Sequence, residues 1–196
     1  MRIAIFILFI LAGMMACKSD SKQSTTSELP RERKPLNVPA FNADSAYTYI
    51  EDQISFGPRV PNTEAHRSTR DYLQSQLERF ADKVTVQSFT ANRFDGIELE
   101  GYNIIGSFNP RESRRILLLA HWDTRFMADH ASSADLRNEP VLGADDGGSG
   151  VAVLLEIARQ LSLQPVEVGI DILFTDLEDQ GMSNDSNGTT WAMGAQ

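Results

Sequence analysis

The sequence predicts an α/β fold, and three stretches carry that prediction. "RRILLLAHWDT" holds an unbroken apolar run from Ile116 to Ala120, the pattern of a strand buried on both faces of a sheet. "VGIDILFTDLED" repeats the pattern from Val168 onward. Between them, "SGVAVLLEIARQL" sets Val151, Leu154, Leu155, Ala158 and Leu161 at helical spacing. Strand, helix and strand in this order read as a right-handed crossover between parallel strands.

The elements before this unit follow from local signals. Asp44 is placed to cap a helix through "SAYTYIEDQI", with Tyr47, Ile50 and Ile54 on one face. Gly57, Pro58 and Pro61 in "FGPRVP" end it. Thr63 caps a longer helix, "EAHRSTRDYLQSQLERF", whose apolar stripe is Tyr72, Leu73, Leu77 and Phe80. His66 near its start reads as a solvated or capping residue. "KVTVQSFTA" and "GYNIIGSF" alternate in polarity and so predict half-exposed strands. The strand ending at Asp176 is expected to leave its far edge uncovered, an invitation to aggregation.

The first forty residues read differently. "MRIAIFILFILAGMMAC" has Arg2, a short apolar core and small residues before Cys17. The core is too short to span a bilayer stably, so residues 1–16 read as a signal peptide. Cys17, the sole cysteine, resembles the acylated first residue of bacterial lipoproteins, which predicts a cell-envelope protein held at a membrane by lipid. Residues 17–40 are polar and proline-punctuated and read as a disordered tether, leaving 41–196 as the folded part. With one cysteine no disulfide can form within the chain. The net charge of −9 disfavours nucleic acid as a partner.

The acids carry the chemistry. In α/β sheets ligands bind beyond the carboxyl ends of strands, and His121, Asp123, Asp146, Glu178 and Asp179 all fall at or after such ends. "GADDGGSG" is not a phosphate loop, since it lacks Lys-Ser/Thr and its aspartates would repel the anion. Its glycines permit a tight backbone that aims Asp146 inward, although a helix N-cap would also account for Asp145 or Asp146. Carboxylates meeting in one cleft stay ionised only if a cation neutralises them. Hard oxygen donors with His121 nearby suit a catalytic Zn²⁺.

"AHWDTR", "GADDGGSG" and "DLEDQG", in that order, resemble the zinc-dependent M28 peptidase superfamily. "FGPRVPNTEAH", "NIIGSFNP" and the Glu178–Asp179 pair resemble its glutaminyl-peptide cyclotransferase branch, in the form found in Bacteroidota. The resemblance implies a three-layer sandwich, with a mostly parallel (mixed) central sheet, helices on both faces and an incomplete C-terminus. It implies that Asp146 and Asp179 hold one zinc ion, that Glu178 is the acid/base and that Asp123 orients its neighbours. His121 would not ligate the single zinc of a cyclase, but would hold a second metal in an aminopeptidase. The implied reaction closes N-terminal Gln of peptides or proteins to pyroglutamate with release of ammonia.

The family's third ligand is a histidine well beyond the acidic pair, whereas His66, His121 and His130 all lie before it. The chain therefore reads as the front portion of a longer protein and is expected to bind zinc weakly and to lack cyclisation by itself. Two other functions stay open: an M28 zinc aminopeptidase, and a non-catalytic surface lipoprotein that keeps the fold for binding.

Overall fold

The structure, a computed structural model, describes residues 37–196. The signal peptide, Cys17 and nearly all of the tether lie outside the described residues. No helix among the described residues is long and apolar enough to cross a membrane.

Helix α1 spans Ala43–Ser55, with Asn42 as its cap: the Asn42 side chain accepts from the Ser45 N–H at 3.0 Å. Asp44, expected as the cap, sits inside the first turn. The buried face is Ala46, Tyr49 and Gln53, and Tyr47 is 68% exposed. That face is rotated from the apolar one, and Gln53 on it donates from Nε2 to the Gly148 carbonyl at 3.1 Å, which ties α1 to the start of a later helix. Helix α2, Glu64–Glu78, starts at Thr63 as expected, and the Thr63 side chain accepts from the His66 N–H at 3.2 Å. Such a cap is worth about 1 kcal/mol.

Four strands form one mixed sheet: β1 Lys83–Asn92, β2 Glu98–Phe108, β3 Arg115–His121 and β4 Gly169–Thr175. Their order is β1-β2-β4-β3. The β1/β2 hairpin is antiparallel, β2 pairs antiparallel with β4, and β3 pairs parallel with β4. Helix α3, Gly148–Leu163, connects the parallel pair, as the strand-helix-strand reading requires. α3 buries Val151, Leu154, Leu155 and Ala158 on the sheet side, against Ile104, Ile172 and Phe174. Each such side chain contributes about 1.5–3 kcal/mol through apolar burial.

Two strand expectations are corrected. β4 is the inner strand, paired on both sides, so the uncovered edge does not belong to it. β3 instead has one strand neighbour among the described residues, and Ile116, Leu117 and Leu119 are about half exposed. Only Leu118 and Ala120 pack onto the core, on the face toward α3. Period-two geometry therefore governs β3 despite its continuous apolar run.

Candidate metal and acid–base site

Parallel pairing brings the ends of β3 and β4 level, with His121 opposite Thr175. The segments that follow both strands, together with the loop before α3, therefore open on the same edge of the sheet.

Asp123 is fully buried and organises this edge. Its carboxylate accepts from the Glu178 N–H at 3.0 Å, the Asp179 N–H at 3.1 Å and Gln180 Nε2 at 2.9 Å. Burial alone would raise its pKa, but His121 and these donors hold it below the usual carboxylate range. The second-row role expected of Asp123 is thus mainly to fix the turn that bears the acid pair. Leu177, in that turn, has φ +54, a left-handed conformation that costs a bulky residue about 1 kcal/mol or more. It is held by Asp176 Oδ1 accepting its N–H at 2.8 Å and by its own carbonyl accepting from the Met193 N–H at 2.9 Å.

The turn sends the two acids apart. Glu178 Oε2 lies 3.8 Å from His121 Nδ1, and Asp179 Oδ1 lies 3.6 Å from Arg125 Nη1. From the third segment, Asp146 Oδ1 accepts a hydrogen bond from His121 Nε2 at 2.8 Å. Helix α3 has Gly147 at its N-cap with no capping side chain, so Asp146 is not spent as a cap. Gly147 is required by proximity: a β-carbon there would lie 2.8 Å from His121 Nε2. Asp146 and Asp179 line one cleft of about 330 Å³ with Arg125, Met127, His130 and Trp191. His130 is exposed on that cleft, as a solvated loop histidine should be.

The electrostatics match a cluster of acids short of positive charge. Burial pushes Asp179 up to about 7, and Asp123, Asp146 and Glu178 push the same way against Arg125. Burial also raises Glu178 above its ordinary range, the direction expected of a carboxyl that must gain and lose a proton in catalysis. Burial would lower His121, but Asp123, Glu178 and Asp146 outweigh it and lift it to about 9.

The donor chemistry fits a hard cation: two carboxylates on one cleft, with a third acid left beside a histidine. The geometry supplies only part of a site, because among the described residues no group of three or more His, Cys, Asp or Glu is arranged to hold a metal ion. Asp146 and Asp179 would thus supply two donors where a catalytic zinc takes three protein ligands.

Sequence reasoning missed three residues here. Arg59 and His66 are fully buried. His66, expected in solvent, instead has Nε2 at 3.0 and 2.9 Å from the two Asp176 oxygens and its ring stacked 4.4 Å from Trp122. Arg125 ion-pairs with Asp129 at 2.6 Å and lies 4.6 Å over the Trp191 ring. Only the proline-flanked "GPRVP" gave any hint, since arginine is rare between two chain breakers.

Comparison with known proteins agrees with this geometry. Residues 103–189, from β2 through the acid pair, match peptidase family M28. Over that stretch, less than half of its length, the chain is similar to peptidase family M28. The chain is 51% identical to a solved structure of Tannerella forsythia glutaminyl cyclase, with a TM-score of 0.77 over 80% of the chain and 55% of that protein. It is also 51% identical to a Zn-dependent exopeptidase from Parabacteroides distasonis, with the same TM-score of 0.77 and the same coverage of 80% and 55%. A glutaminyl-peptide cyclotransferase of Drosophila melanogaster is 30% identical over 127 residues, 62% of this chain and 33% of the fly protein. The chain thus spans about half the length of the two solved structures and a third of the fly protein. Their likeness bears out the α/β sandwich with a mixed sheet and flanking helices.

Proposed function

We propose that these residues form the acid-bearing part of a glutaminyl-peptide cyclotransferase, acting on the N-terminal Gln of peptides or proteins with one zinc ion. The observation that carries the reading is the convergence of Asp146 and Glu178 on His121, with Asp179 lining the same cleft as Asp146, in a chain half identical to a bacterial glutaminyl cyclase.

Asp146 and Asp179 would hold the zinc. When bound, zinc supplies Lewis acidity at the side-chain amide carbonyl of the substrate glutamine. Glu178 takes a proton from the attacking α-amine onto its carboxylate and returns one to the leaving nitrogen, so that ammonia departs. Burial raises its pKa, which favours the proton-holding form that the return step needs. Asp123 keeps Glu178 and Asp179 on opposite sides of their turn. Amine and carbonyl belong to one residue, so ring closure needs only that the chain hold them in register.

The test is a mass assay on a Gln-initiated peptide. It is run with the chain alone and with the chain continued by the part of the Tannerella forsythia protein that lies outside the match. Loss of one ammonia with the peptide otherwise intact supports the proposal. Release of free glutamine supports the second reading, a zinc aminopeptidase, which the Parabacteroides distasonis relative and the placement of His121 beside Asp146 favour. Metal content separates the two independently: near one zinc per chain for cyclisation, two for hydrolysis. We further infer from the sequence that Cys17 carries a lipid anchor holding the protein at a bacterial membrane, facing the periplasm or the exterior, where peptide N-termini are its substrates.

A further inference from the structure

Arg59 lies in the break between α1 and α2, far in sequence from every acid of the site, yet it is fully buried beneath them. Its guanidinium donates from Nε to the Trp122 carbonyl at 2.8 Å, from Nη1 to the Leu142 carbonyl at 2.9 Å and from Nη2 to the Gly143 carbonyl at 2.6 Å. Its own carbonyl accepts from the Thr124 N–H at 3.2 Å. One side chain therefore ties the segment after β3, which follows His121 and carries Asp123, to the loop before α3, which carries Asp146. The approach is tight: a β-carbon on Gly143, whose φ is +68, would lie 2.8 Å from Arg59 Nη2 and against Thr124.

These three acceptors are backbone carbonyls, so the buried charge is solvated by loops and, among the described residues, is paired with no carboxylate in direct contact. Burying an unpaired cation is costly, and a chain needing only to close two loops could do so with neutral donors. The acids whose charges act on Arg59 are Asp123 and Asp146, and although burial lowers its pKa to about 10 it stays charged at neutrality. Its planar fork matches three fixed carbonyls, which the point charge of a lysine cannot.

We propose that Arg59 is a positioning residue, which fixes Asp146 for metal binding by stapling the loop before α3 to the end of β3. This rests on the reading of Asp146 as a zinc ligand. Outer-row partners of metal ligands commonly set affinity within a factor of 10–100.

The test is zinc affinity by chelator competition for Arg59→Lys and Arg59→Met, beside Leu77→Ala as a control that damages the core away from the loops. Both Arg59 variants should bind zinc about 10–100-fold more weakly than the parent, and Leu77→Ala should match the parent while folded. Affinity within twofold of the parent in a folded Arg59→Lys overturns the proposal. If neither Arg59 variant folds, Gly143→Ala decides, since it crowds the guanidinium while leaving the charge, and parental affinity there overturns the proposal. If the parent binds no zinc even when continued by the part of the Tannerella forsythia protein that lies outside the match, the zinc reading of the site fails. The Arg59 staple is then judged by the ring ¹⁵N shifts of His121 in the metal-free protein. Loss of the His121–Asp146 hydrogen bond in Arg59→Lys upholds it, and retention overturns it.

Discussion

Asp123 Oδ1 accepts the backbone N–H of Glu178 at 3.0 Å, joining the end of β3 to the turn after β4. The same carboxylate holds Asp179 and Gln180, so one buried acid sets where two functional acids point. Asp123→Asn keeps the shape but removes one acceptor oxygen and presents a donor to N–H groups. It should cost about 1–3 kcal/mol for the unpaired buried donors and about 10–100-fold in zinc affinity. Urea unfolding with zinc titration checks both. Unchanged affinity in the destabilised variant would limit Asp123 to stability alone.

Much of this was legible in the sequence because the chemistry sits at strand ends. An apolar run that stops in acids marks a carboxyl-terminal sheet edge, so His121, Asp123, Asp146, Glu178 and Asp179 could be named without coordinates. The buried polar frame could not. His66 and Asp176 are 110 residues apart, and no local pattern announces that a helix-start histidine will enter the core to meet an acid. Arg59 is hidden for the same reason, since its acceptors are carbonyls and carbonyls exist at every residue. The exposure of β3 was missed because a continuous apolar run shows hydropathy and not the number of covered faces. The rotation of α1 was missed because its buried face includes a polar residue, Gln53, whose amide reaches α3.

The buried Asp176–His66 contact makes a pH prediction. Burial raises Asp176 to about 6 from 3.8, with Asp123 adding to the rise and His66 and the Tyr102 N–H opposing it. A raised carboxyl pKa means the folded state holds its proton more tightly than the unfolded chain. The stability from this group is therefore complete below about pH 3.8 and is lost as pH rises through about 6. Carboxyl ¹³C shifts should show Asp176 titrating near 6. A midpoint near 3.8 would mean that His66 fully offsets the burial.

Gly147→Ala should damage the site and the fold together. The added methyl would stand 2.7 and 2.8 Å from the His121 ring and still closer to the His121 carbonyl. Crowding of this kind costs about 1–3 kcal/mol. It should also break the His121–Asp146 hydrogen bond, visible as a shift of the His121 Nε2 resonance. A variant with parental melting and an unmoved resonance would contradict the packing described.

Cys17→Ser should abolish acylation and move the protein from the membrane fraction to the soluble one. Labelling with a radioactive fatty acid, followed by fractionation without detergent, checks this. An unlabelled parent found in the soluble fraction would indicate ordinary signal cleavage.

The central claim is a division of labour, with Asp146 and Asp179 holding zinc and Glu178 moving the proton. It is tested most directly by measuring bound zinc and Gln-peptide turnover together for Glu178→Gln and Asp146→Ala, in the form of the protein that turns over. The account predicts that Glu178→Gln keeps its zinc and loses about 10²–10⁴-fold in turnover, while Asp146→Ala loses zinc and turnover alike. Loss of zinc from Glu178→Gln as readily as from Asp146→Ala would contradict it.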